Sequence, residues 1–382
     1  MTSTAVWILL VLCGVDLLLY FSKPLHNVQI ASIVPQDRNP VRVKLEQLAL
    51  PWCNPDVLVI GSSLSQASFA CADALYENRR APNIGYELYV YGKSRYLESQ
   101  LLKLTGKKHS VLDLSLGGCM ASDAYFMLNK VLSVRSGVKL LILPVAPRDF
   151  YDNFSAKDPE LSPVGTFLKK KSHESLLSQQ GNVQEKTENV LSFVWRYFDI
   201  RADYRQMMQL LSCQIFGRAP DLYTSTHFDE PFSKENRVDF NPKPRSAGEV
   251  LPDSVKTEDA QRYYKQYNPY TPEKLDVQFR YLEKTFLLCR DHHITPVVID
   301  MPLTQRNLKQ LTREMAADYR TKLRALCQKY DVHLDTLQED VDFTENDFRD
   351  SCHLVGSGGK KVIDKLTASL SKDTKVVRGL SR

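Results

Sequence analysis

The sequence predicts an α/β fold: a three-layer α/β/α sandwich around a parallel sheet, with a large helical and loop insertion and an N-terminal transmembrane helix. Three observations predict it. Short, largely apolar runs rich in Val, Leu and Ile recur along the chain, and stretches of helical periodicity separate them. Gly, Pro or Asp closes most of the runs. Apolar strands alternating with helices mean a parallel sheet covered on both faces, because each right-handed crossover lays its helix back on the sheet.

The elements follow in order. Residues 56–60 read as the first strand, stopped by Gly61, and residues 66–76 as the helix after it. Residues 110–116 are the second strand, ended by Gly117-Gly118, with residues 121–132 as its helix. Residues 138–144 are the third strand. After an interruption come a helix at 272–289, a fourth strand at 295–300, a long helix at 308–330, a weak fifth strand at 332–334 and a closing helix at 359–370. The interruption, residues 151–271, includes Lys169-Lys170-Lys171, a helical stretch at 189–216 carrying Trp195, Tyr197 and Phe198, and a Pro-, Asp- and Tyr-rich stretch at 219–271 without a clear period. A connection this long is a functional lid or a small subdomain. The chain divides into an anchor (1–25), a linker (26–52) with an amphipathic piece at 41–50, the first part of the α/β domain (53–150), the insertion (151–271) and the second part (272–382).

Composition sets limits. With 43% apolar and 25% charged residues over 382 positions, the chain is neither collagen-like nor wholly disordered. Lys and Arg number 50 against 45 Asp and Glu, and a balance of +5 is too mild to argue for nucleic acid. A mean hydropathy of -0.31 excludes a polytopic membrane protein but permits one anchor. Residues 5–21 supply the candidate, 17 positions with the single charge Asp16. That is the short end of a membrane span. Residues 1–4 carry no Lys or Arg and no small-x-small cleavage site follows, so an uncleaved anchor fits better than a signal peptide; a buried N-terminal helix is the alternative. Lys23, Arg38, Arg42 and Lys44 after the segment favour a cytoplasmic domain, whereas the function below favours the other side. The eight cysteines form no C-x-x-C and no Cys/His cluster with zinc spacing, and read as scattered buried thiols.

In open α/β folds ligands bind at the strand C-termini, so the residues just after each strand carry the chemistry. Gly61-Ser62-Ser63 follows the first strand and can present a hydroxyl at a helix N-terminus, where backbone N–H groups favour negative charge. It matches neither the Walker A motif nor G-x-G-x-x-G. Gly117-Gly118 follows the second strand. Pro147-Arg148-Asp149-Phe150 follows the third, with Asn153 close behind. Asp350-Ser351-Cys352-His353 lies before the last helix, and an Asp and a His three apart on a turn can share one site, the carboxylate orienting the ring and the ring taking a proton from serine. His292-His293 reads as a capping pair at a helix end.

This combination resembles the SGNH (GDSL-like) hydrolase superfamily, whose fold is flavodoxin-like, over about residues 56–118, 138–153 and 295–370. The Gly-Ser-Ser block and the N-terminal anchor are similar to those of membrane-anchored bacterial envelope esterases and acyltransferases. The resemblance implies Ser63 as nucleophile, His353 as base and Asp350 as its orienter, with the backbone N–H groups of Ser63 and Gly118 as oxyanion hole. It implies a serine esterase or O-acyltransferase outside the cytoplasm, acting on an acylated cell-envelope glycan or lipid-linked acceptor, with no metal or organic cofactor. The chain departs from the family twice. Ser62 stands where an Asp is usual. The Pro-Arg-Asp-Phe block replaces Gly-x-Asn-Asp, so the side-chain donor of the oxyanion hole is missing. Either Arg148 takes its place, as a substrate-binding or oxyanion group, or Asn153 folds back. The altered block and the insertion also leave open an interaction subunit of weak activity that serves a polytopic membrane acyltransferase.

Overall fold

Val57, Leu58 and Val59 are wholly buried and make the first strand, β1 (Val57–Val59). In the computed structural model, which describes residues 40–169 and 245–381 apart from 51, 52, 85, 156, 160 and 161, together with a few positions before residue 20, four more strands follow. They are β2 (Val111–Asp113), β3 (Leu140–Val145), β4 (Thr295–Asp300) and β5 (His333–Thr336). Every pairing is parallel and the order is β2-β1-β3-β4-β5. All six residues of β3 are buried, as a central strand covered on both faces requires. Edge strand β5 buries only Asp335.

The helices are α1 (Pro40–Ala49), α2 (Ser63–Tyr76), α3 (Tyr86–Val90), α4 (Arg95–Thr105), α5 (Ala121–Leu132), α6 (Pro147–Phe150), α7 (Pro163–Lys169), α8 (Asp253–Tyr267), α9 (Pro272–Asp291), α10 (Gln305–Leu308), α11 (Arg313–Lys329), α12 (Gly356–Leu370) and α13 (Thr374–Ser381). One layer packs α2 against α4 and α12; the other packs α9 against α5 and α11. The α2–α12 contact is the closest, and glycine makes it possible. A methyl placed on Gly359 would lie 2.0 Å from the Ser68 carbonyl oxygen. With the backbones this near, Val362, Ile363, Leu366 and Leu370 bury completely. Each such side chain contributes about 1.5–3 kcal/mol.

The sequence expectation of a parallel α/β sheet with alternating helices is met, and several boundaries move. The long helix expected at 308–330 is α11 and starts later, at Arg313, because Thr312 caps it by accepting from the Met315 N–H (3.0 Å); the short α10 before it is capped by Thr304, which accepts from the Asn307 N–H (3.2 Å). Part of the expected linker is body. In α1, Val41, Val43 and Leu48 are buried, and the fully buried Lys44 donates to the carbonyls of Asp113 (2.9 Å) and Tyr91. Helix α4 is well marked locally, with Gly106 at φ 70° ending it, yet it was not among the expected elements. His292 and His293 do close α9, His293 with φ 58°.

No helix among the described residues is long and apolar enough to cross a membrane. Most of the expected anchor at 5–21, the lysine run beyond Lys169, the aromatic stretch at 189–216 and Cys213 lie outside the described residues. The described cysteines are all free, and Cys71, Cys119, Cys289, Cys327 and Cys352 are buried.

Candidate active site

The strand order reverses direction between β1 and β3, so a crevice opens outside their C-terminal ends. The loop after β1 is shaped by Gly61. A methyl there would come 2.4 Å from Ser65 Oγ and 2.8 Å from the Pro144 carbonyl oxygen, so only glycine lets this loop lie against the end of β3. Ser63 is the first residue of α2. The preceding Ser62 makes no side-chain cap and the first turn holds no acidic residue. The N–H groups of that turn therefore keep their positive end of the helix dipole for a ligand.

The loop after β2 is tied to the serine loop, since the Leu116 N–H donates to the Gly61 carbonyl at 3.0 Å. Gly118 has φ 83°, a conformation that side chains rarely adopt. A methyl on Gly117 would lie 3.9 Å from Ser63 Cβ, and one on Gly118 would lie 3.9 Å from Arg148 Nη2. Ser63 and Arg148 thus flank the same glycine turn.

The third contribution comes from the turn before α12. Arg349 N–H donates to the His353 carbonyl at 2.7 Å, and Phe348 pairs with Leu354, closing a tight loop. Inside it Asp350 Oδ1 accepts from the N–H of His353 (2.8 Å) and of Cys352 (3.1 Å), an Asx-type turn that local chemistry builds without help. His353 Nδ1 lies 2.9 Å from Asp350 Oδ2 and 3.0 Å from Oδ1, and His353 Nε2 lies 2.9 Å from Ser63 Oγ. Arg349 also donates to Asp350 Oδ2 at 3.0 Å. Burial alone would raise the Asp350 pKa, but the charge and hydrogen bonds of His353 hold it well below the usual carboxylate range. Burial alone would lower the His353 pKa, but the Asp350 carboxylate holds it well above the usual histidine value. The ring remains reachable, its side chain 24% exposed.

Arg148 and Asn153 fare differently. Arg148 Nη2 lies 3.4 Å from Asp152 and Nη1 3.8 Å from Asp149. Nη1 is buried and makes no hydrogen bond among the described residues. Asp149 caps α6 through the Ala146 N–H at 3.0 Å, and burial pushes its pKa up to about 6 against the pull of Arg148. The side chain of Asn153 does not fold back into the site. Its Nδ2 donates to the Pro269 carbonyl (3.1 Å) and its Oδ1 accepts from Lys274 (2.7 Å). Nothing local to Asn153 announces those distant partners.

Sequence reasoning missed the support behind the histidine turn. Ser351 is fully buried and bonds to Asp259, Thr304 and Asn307, while Tyr263 OH lies 2.9 Å from Cys352 Sγ. Asp350, Cys352 and His353 bring potential metal-ligand atoms within 4.8 Å of one another. They hydrogen-bond to one another and to Ser63, Arg349 and Tyr263, and burial first of all pushes the Cys352 thiol up to about 11.

Chemically the arrangement can move a proton from a serine hydroxyl to an imidazole held by a carboxylate. It can also set N–H donors beside the serine. No family model matches the sequence, and no curated protein matches it. Solved structures do match. One of them, described as "Crystal Structure of TesA", shares 10% identity and a TM-score of 0.37 across 84% of this chain and 98% of that chain.

Proposed function

We propose that this chain is a serine ester hydrolase or O-acyltransferase of the SGNH type. One observation carries the reading: the Ser63–His353–Asp350 relay, with 2.9 Å on each side of the ring. Ser63 Oγ attacks the ester carbonyl and its proton passes to His353 Nε2. The tetrahedral oxyanion meets the N–H groups of Ser63 and Gly118, with Arg148 beside Gly118. Collapse breaks the ester C–O bond, and the departing alcohol takes the proton from His353. Water or an acceptor hydroxyl then attacks the acyl-serine by the same steps in reverse. The acceptor we propose is a cell-envelope glycan or lipid-linked sugar presented to a tethered, extracytoplasmic domain. The apolar run at 5–21 and the motif resemblance support that part.

A fluorophosphonate probe tests the chemistry. Wild type should be labelled and Ser63→Ala should not; equal labelling of the two would end the proposal. With an acetylated sugar as donor, release of free acetate marks hydrolysis, and acetyl appearing on a second sugar marks transfer.

A further inference from the structure

We propose that Asp259, on α8 of the insertion, is a positioning residue for the catalytic histidine, acting through Ser351. The inference rests on the serine-hydrolase reading above. Ser351 sits between Asp350 and His353, and its polar groups are engaged on three sides. Its N–H and Oγ both donate to Asp259 Oδ2, at 3.1 Å and 2.5 Å. Its Oγ accepts from Asn307 Nδ2 at 3.2 Å. Its carbonyl accepts from Thr304, at 2.7 Å from Oγ1 and 3.3 Å from N.

Thr304 and Asn307 belong to the β4–α10 connection, a part of the sheet framework. Asp259 belongs to the stretch the sequence sets outside it. Turning Ser351 about its backbone would carry Asp350 and His353 with it, because Asp350 is bonded to it directly and His353 through Cys352. Two donors converging on one carboxylate oxygen fix the orientation of that peptide, as a single bond would not. The rest of the insertion's end grips the same loop. Leu251 N–H donates to the Arg349 carbonyl at 2.8 Å, and Lys256 Nζ donates to the Glu345 carbonyl at 2.6 Å. Helix α8 is thereby a buttress of the site, and Asp259, with Tyr263 against Cys352, is where it meets the triad turn.

A displacement of about 1 Å in a catalytic group costs roughly 10²-fold in rate. The experiment compares full-length wild type, Asp259→Ala, Asp259→Asn and Ser351→Ala on an aryl acetate, with turnover expressed per folded molecule. Asp259→Ala should lower kcat about 10²-fold with KM little changed. Asp259→Asn keeps an acceptor oxygen and should lose less. Ser351→Ala removes the Oγ that donates to Asp259 and accepts from Asn307 but keeps the N–H donor to Asp259, so it should fall between wild type and Asp259→Ala, and it keeps the test decisive if Asp259→Ala does not fold. Wild-type kcat per folded molecule in Asp259→Ala, or in Ser351→Ala when the former cannot be obtained, would overturn the proposal. Failure of wild type itself to be labelled at Ser63 would instead overturn the reading beneath it.

Discussion

Replacing Arg148 by Gln separates its ion-pair role from the oxyanion role proposed for it. The guanidinium faces Asp149 and Asp152 at 3.8 Å and 3.4 Å, while Nη1 has no acceptor among the described residues. Both carboxylates are nearly buried, with side chains 5% and 4% exposed. Removing a buried cation from such partners costs about 3–5 kcal/mol, and these long contacts argue for the lower end, about 3 kcal/mol. The pH dependence has a definite sign. Asp149 has a folded-state pKa of about 6, above its unfolded value, so its ionisation opposes folding and stability rises as pH falls through about 6. The variant's deficit should therefore shrink between about pH 7 and pH 5. The kinetic effect is separate. On the proposed reading Arg148, beside Gly118, donates to the developing oxyanion. Loss of such a donor lowers kcat about 10²-fold, equivalent to about 2.7 kcal/mol, with KM little changed. Arg148→Lys, which keeps the charge without the fork, should recover most of the stability and little of the kcat. Thermal melts across pH and steady-state kinetics on an aryl ester read both effects. A Gln variant that is destabilised yet turns over normally per folded molecule would refute the oxyanion role and leave Arg148 as an ion-pair residue.

Two further outcomes follow from the geometry. The general base must be neutral, and Asp350 holds the His353 pKa above 6.5, so kcat/KM should rise with pH through a limb lying above 6.5; Asp350→Asn should move that limb down and lower kcat by about 10³–10⁴-fold, as a pH-rate profile would show. Gly359→Ala would drive a methyl to within 2.0 Å of the Ser68 carbonyl oxygen, and should cost at least about 1–3 kcal/mol in a denaturant melt by forcing α12 off α2.

The parts of this molecule that read directly from sequence are those where local chemistry and tertiary role coincide. The runs around Val57, Leu141 and Val298 are apolar because central parallel strands bury both faces, so composition alone marks them. Ser63, Gly118 and Arg148 drew notice because they follow the C-terminal ends of such strands, and His353 because Asp350 stands three residues before it; the structure sets Ser63 and His353 2.9 Å apart. Helix α8 was not legible. The positions it turns inward include Lys256, Ala260, Tyr263 and Tyr267, and Lys256 buries by reaching a carbonyl, so no aliphatic stripe marks the helix. The amphipathic piece at 41–50 was visible, but Lys44 disguised its burial in the body, the ammonium sealed against two carbonyls with the pKa lowered by burial to about 8. Asn153 was misjudged for the opposite reason. A polar side chain near the right strand end looks available until Lys274 and Pro269 arrive from another part of the chain.

The hydroxyl and the imidazole that it touches are separated by 290 positions. During synthesis Ser63 is therefore made long before His353. Until α12 seats on α2, Ser63 is an ordinary alcohol, unable to acylate itself on whatever ester it meets. On the proposed reading, a polypeptide released between residues 336 and 353 would hold all five described strands and none of the reactivity. On the proposed reading, covalent labelling of Ser63 would therefore report that the chain had been made past His353 and folded there, and any shorter product would be chemically silent.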